Sequence, residues 1–213
     1  MTVWSTYWTN SALVVISAAL IVIFINDCLH IFPMLVKGLG QWKVHREIEH
    51  NIPIARTRNI LLAIFSIPLC LIADRYSLYH PALLDKVPPL WSVFATAGAY
   101  ILYRLLRLLT FSRLRFPKLH PEERMAIHHI FDDLLIALTA LMLASVGIML
   151  IIKVSDYAAK IVLLVEAGLA FFIVCIQIYQ FLAVQHSRLS TILYLCALEI
   201  LPLAAMVALQ AIF

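Results

Sequence analysis

Long stretches made almost wholly of apolar side chains recur from one end of this chain to the other, at 11–32, 59–73, 90–109, 130–152, 158–181 and 189–209. About 20 apolar residues at 1.5 Å per residue make a helix that crosses a hydrocarbon core roughly 30 Å thick. A backbone inside that core must satisfy its own N–H and C=O groups, which leaves helices as the form such runs can take. Of the 213 residues, 63% are hydrophobic and 13% charged, a balance that excludes an ordinary soluble domain. The expected fold is therefore all-α: a polytopic membrane protein, one domain over 1–213, built as a bundle of six transmembrane helices.

Basic residues set the expected orientation. Lys37, Lys43, Arg46, Arg56, Arg58, Arg104, Arg107, Arg113, Arg115, Lys118, Arg124 and Arg188 fall on one side of such a bundle, against Arg75, Lys86, Lys153 and Lys160 on the other. The positive-inside rule then puts both termini outside and the first, third and fifth connections in the cytoplasm. The net charge of +4 is accounted for by these flanks and gives no reason to expect nucleic acid. The first run has no basic n-region and is 22 residues long, which reads as an uncleaved span; Trp4, Tyr7 and Trp8 before it suit an interfacial aromatic belt. Residues 33–58 form the longest connection. Their irregular mixture of Met34, Leu35, Trp42, Val44 and Ile48 with charged residues predicts a helix lying in the membrane interface. The second run is short and contains Pro68, so a kink or local thinning of the bilayer is expected there.

Polar residues inside apolar runs are costly, and are therefore the candidates for function. Glu199 is ten residues into the last run, about 15 Å deep, with Pro202 one turn further. Glu166 has a similar predicted depth on the preceding helix, so the two acids could share a proton. Glu166, Gln177 and Gln180 form one polar stripe that should face the protein. Arg104 and Arg107 lie in the last turns of the third run, where arginines reach toward phosphate headgroups; Arg104 is also a possible partner for Glu166. A second group is predicted at the cytoplasmic edge: Asp27 and His30 from the first run with His129 and Asp133 from the fourth. Such His/Asp pairs could hold zinc or iron on facing helices, or a haem between His30 and His129, although acids in a first helical turn also have a purely structural explanation. The basic expectation is no cofactor. Cys28, Cys70, Cys175 and Cys196 have neither zinc-motif nor disulfide spacing.

The run Leu195-Cys196-Ala197-Leu198-Glu199-Ile200-Leu201-Pro202, together with the His128-His129-Ile130-Phe131 entry and the Gln185-His186-Ser187-Arg188 connection, resembles the C-terminal part of a family of multi-spanning inner-membrane proteins of Bacteroidota, domain of unknown function family 4271. The resemblance covers the last 25 residues and extends back to about residue 120. It implies a bacterial inner-membrane setting and a multi-spanning fold, and brings no activity or catalytic residues with it. On these grounds the expected role is a non-enzymatic envelope assembly partner or a small transporter with a buried proton-binding carboxylate. Its partners would be the lipid bilayer, other inner-membrane proteins or a second copy. The alternative is an intramembrane enzyme acting on a lipid or phosphorylated substrate at the His/Asp group with Arg104 and Arg107. No hydrolase, phosphatase or transferase signature and no Gly-rich phosphate loop is present.

Overall fold

The computed structural model describes residues 8–38, 40–79, 88, 91–113 and 121–183, with isolated positions 191, 196, 200, 201 and 204. The described chain is helical throughout: α1 (Trp8–Ile23), α2 (Ile25–Gly38), α3 (Trp42–His50), α4 (Ile52–Arg75), α5 (Ser92–Arg113), α6 (Pro121–Ile152) and α7 (Asp156–Ala183). Four of these helices are long and apolar enough to cross a membrane, and the bent pair α1 and α2 makes up to five. Many large apolar side chains point outward, among them Ile151, Trp8 and Phe172, at a cost that disappears when the surroundings are lipid. The chain is a helical membrane bundle.

Three details depart from the sequence expectation. The run 11–32 does not form one straight helix; it breaks at Phe24, where α2 turns 77° away from α1. The turn takes Asn26, Asp27 and His30, all exposed, out of the line of α1. The second span is longer than the apolar run 59–73, because α4 starts at Ile52. Asn51 caps it, its side-chain oxygen accepting from the Ile54 N–H at 3.4 Å, and Pro53 occupies the first turn, where its missing N–H costs nothing. At 24 residues α4 is about 36 Å long and continues through Pro68, so no thinning of the bilayer is required.

The third departure concerns the connection 33–58. Instead of lying on the surface, α3 is driven into the basic end of the bundle, with Val44, His45 and Ile48 buried. Val44 and Ile48 are one turn apart and join Ile31, Leu35, Leu61, Ile64, Phe65 and Ile136 in a core contributed by α2, α3, α4 and α6. Further toward the opposite end, Ile72, Tyr76, Met142, Met149, Ala159 and Leu163 close the α4, α6 and α7 contact. The α6–α7 turn is tight: Lys153 takes a left-handed φ of 55°, and the Val154 N–H returns to the Met149 carbonyl at 3.0 Å.

Helices α4 to α7 alternate in direction, so the start of α4, the end of α5, the start of α6 and the end of α7 lie together with α3. Helix α5 packs its backbone on α4 and meets α6 through long side chains. That spacing opens the clefts described next.

Candidate functional site

Asp132 and Asp133 are neighbours on α6, about one and a half turns inside the start of its apolar segment, and both are 1% exposed. Consecutive helical residues point about 100° apart. Asp133 therefore faces α3 and α4 while Asp132 faces α5, and each acid gathers its own set of partners.

Around Asp133 the arrangement is enclosed. His45 Nδ1 lies 2.6 Å from Asp133 Oδ2, and both side chains are 1% exposed. The other ring nitrogen, Nε2, is 2.8 Å from Gln177 Oε1 and 3.2 Å from the Gly38 carbonyl. The Gln177 amide orientation follows from its own bond: Nε2 donates to the Gly38 carbonyl at 2.5 Å, which leaves Oε1 to accept from His45. The imidazole is thus ringed by the oxygens of Asp133, Gln177 and Gly38. Arg58, also 1% exposed, donates to Glu49 at 2.8 Å and to Asn59 Oδ1 at 3.0 and 3.2 Å; its Nε is 3.8 Å from Asp133 Oδ1. Arg58 thereby faces two acids, Asp133 and Glu49, and His45 adds a short hydrogen bond to Asp133. Asp133 Oδ1 makes no hydrogen bond among the described residues.

Asp132 looks the other way. Arg104 engages it with both terminal nitrogens, and His129 Nδ1 is 3.0 Å from Oδ2. Arg107 is buried, its guanidinium stacked 4.5 Å over the Phe131 ring while Nη1 donates to the His128 carbonyl at 3.0 Å. His128 is held edge-on between Phe111 and His129, with ring centroids 5.0 and 4.9 Å away. Beside these groups, between α4 and α5, is a cleft of about 370 Å³. Arg104, Arg107, His128, Asn59 and Tyr100 supply its polar lining; Leu62, Ile101, Leu105 and Leu108 supply much of the rest.

The predicted residues fall out as follows. Gln177 belongs to the His45 network, and Gln180 on the same stripe is exposed. Arg104 pairs with Asp132 rather than with Glu166; Glu166 instead accepts a hydrogen bond from Ser145. Glu199 lies outside the described residues. Asp27 and His30 are exposed, and Asp133 is taken up by His45, so the four-residue group Asp27, His30, His129 and Asp133 is not brought together. The grouping of possible metal ligands among the described residues is His128, His129 and Asp132, whose ligand atoms lie within 4.8 Å of one another. Arg104 occupies Asp132 and Arg107 sits alongside, so two guanidinium groups flank one carboxylate there. A cleft lined by two guanidinium groups offers several N–H donors to an anion.

His45, Arg58, Asn59, His128 and Asp132 were not among the predicted site residues. His45 shares one face of a short helix with Val44 and Ile48, but the mixture of Trp42 with charged residues around it reads equally as an interfacial helix. For Asp132 the signal was its place beside Asp133, two acids that cannot share one helix face. The class of protein these features define is a helical membrane bundle with a buried polar layer one to two turns inside its basic end. Comparison with known proteins finds no matching family model, no matching curated protein and no matching solved structure.

Proposed function

We propose that this chain is a bacterial inner-membrane protein that binds an anionic lipid, with the headgroup seated in the cleft of Arg104, Arg107 and His128. The observation that carries the reading is the placement of Arg104, Arg107 and His128 in one cleft, beside apolar walls that include Leu62, Ile101, Leu105 and Leu108. Arginine is suited to phosphate because its planar fork offers several donors at once, and burial beside apolar walls strengthens each bond. The apolar rim suits a ligand that arrives from the bilayer. In this reading the role is non-enzymatic: the protein holds a lipid for an envelope assembly partner or a second copy. In this reading the chain spans the membrane six times with both termini outside, counting the bent α1 and α2 pair and the apolar run 189–209 of the sequence. Zinc, iron and haem have no part in it, because a cation at His128, His129 and Asp132 would have to displace Arg104.

Retention of phosphatidylglycerol against phosphatidylcholine by the full-length protein, followed by native mass spectrometry in detergent, tests the reading. Arg107→Gln removes a cation yet can still donate to the His128 carbonyl. Leu108→Glu adds a carboxylate at an exposed rim position of the cleft. Each should reduce the preference for the anionic lipid about tenfold, the equivalent of roughly 1.4 kcal/mol. An unchanged preference in both variants would overturn the headgroup site.

A second reading is favoured by one observation, the 3.0 Å contact between His129 Nδ1 and Asp132 beside this cleft. A carboxylate that orients an imidazole is the arrangement of a general base, so the alternative is an enzyme acting on the bound lipid headgroup. His129→Gln would then keep lipid retention and lose turnover.

A further inference from the structure

On the α4 face the cleft does not end where its polar lining ends. Asn59, Leu62 and Ser66 line the cleft, and Leu69, Cys70 and Ala73 continue the same helical face at intervals of three and four residues. Those last three form part of the wall of a second, open-sided cavity of about 500 Å³, lined by α4, α5, α6 and α7. Tyr100 on α5 lines both spaces and stands at their junction. Beyond it the wall is hydrocarbon and aromatic, with Met142, Phe171 and Val174 from α6 and α7. On α7 a Cβ added at Gly168 would meet nothing within 4 Å, so the small residue there leaves open space.

We infer that this chamber holds a hydrocarbon tail of the lipid whose headgroup sits at Arg104 and Arg107, so that the ligand is an anionic amphiphile with a long acyl or alkyl chain. The inference rests on the headgroup reading above and adds to it the identity of the apolar part. Two features select this occupant over other apolar ones. The chamber continues along one face of α4 from the cationic cleft, which pairs a place for charge with a place for hydrocarbon. The distance also fits: Asn59 to Ala73 is fourteen residues of helix, about 21 Å, longer than the roughly 15 Å half-thickness of a bilayer core. A headgroup at one end therefore leaves room for a tail alongside. Volume agrees as well, since about 500 Å³ lies within the range of sites that enclose a small-molecule ligand.

The test uses the full-length protein in detergent and four probes: alkyl phosphates of eight and eighteen carbons, octadecanol, and glycerol 1-phosphate. Gly168→Leu fills the chamber from α7, and Ala99→Leu fills it from α5 should the first variant fold poorly; melting temperature reports folding for both. Retention of the eighteen-carbon phosphate should exceed that of the eight-carbon one by tenfold or more. The filled variants should lose that advantage while binding the eight-carbon phosphate and glycerol 1-phosphate as before. Equal retention by wild type and filled variants would overturn the chamber assignment, even if the anion preference at Arg107 survives. Octadecanol retained as well as octadecyl phosphate, and displaced by Gly168→Leu, would keep the chamber and remove the headgroup reading. A dimer that Gly168→Leu converts to monomer would assign the chamber to a second copy and overturn the inference.

Discussion

His45 shows how much one side chain can decide in this fold. It is the point at which α2, α3, α6 and α7 meet: its two nitrogens reach Asp133, Gln177 and the Gly38 carbonyl, and its ring lies 3.0 Å from where a Cβ on Gly38 would be. Any larger residue at 38 would push the imidazole off Asp133. Removing His45 leaves the buried Asp133 without its short hydrogen bond, and stripping a buried ionisable group of its partner costs roughly 3–5 kcal/mol. His45→Ala should therefore destabilise the protein by about that amount in chemical unfolding from mixed micelles. Asp133→Ala should cost a similar amount, and the double variant clearly less than the two singles added together, because each single change already removes the shared contact. Strictly additive costs would show that the 2.6 Å contact contributes no coupling. Asp133 and Gln177 were visible in the sequence as polar residues in apolar helices. Their joint partner was not, because His45 lies in a stretch whose average polarity matches an interfacial helix, and burial there comes from tertiary packing that no local pattern encodes.

At the scale of elements, α4 to α7 each contain one apolar run, since lipid imposes both a length and a composition on anything that crosses it, while α4 and α6 begin at Ile52 and Pro121, well ahead of the runs at 59 and 130. The elements outside that constraint were less legible. Nothing in 11–32 marks the bend at Phe24 as strongly as Gly or Pro would, and the early start of α4 depends on Asn51 and Pro53 rather than on hydrophobicity. Helix α3 is the largest such case. Only nine residues long, it is too short to be stable alone, and its helicity depends on docking Val44, His45 and Ile48. In a variant lacking the native cysteines, Glu47→Cys, at an exposed position, should react rapidly with a maleimide, whereas Ile48→Cys should be protected by an order of magnitude or more. Adding His45→Ala should largely abolish the protection. Equal labelling at 47 and 48 in the otherwise native background would mean that α3 lies on the surface after all.

For the whole molecule the open geometric question is whether α1 and α2 make one broken span or a re-entrant loop, and their lengths and angle bear on it. Sixteen residues make α1 about 24 Å long, and fourteen make α2 about 21 Å. With a bend of 77°, α2 advances only about 5 Å along the direction of α1. As one broken span the pair would reach about 29 Å, close to the roughly 30 Å of a hydrocarbon core, with α1 as the crossing and α2 turned nearly into the membrane plane. That orientation agrees with α2 itself, whose Asp27, His30 and Lys37 are exposed while Ile31 and Leu35 pack against α3 and α4. A re-entrant α1 would bring Trp8 back to the basic end of the bundle; a crossing α1 places it at the opposite end, with the α6–α7 turn. In a cysteine-free background, Trp8→Cys and Val154→Cys should thus be labelled by a membrane-impermeant maleimide from the same face of intact cells, and Glu47→Cys only after permeabilisation. Labelling of Trp8→Cys together with Glu47→Cys, and apart from Val154→Cys, would make the α1 and α2 pair a re-entrant hairpin and reduce the crossings by one. It would leave the cleft between α4 and α5 in place, since none of its lining comes from α1 or α2.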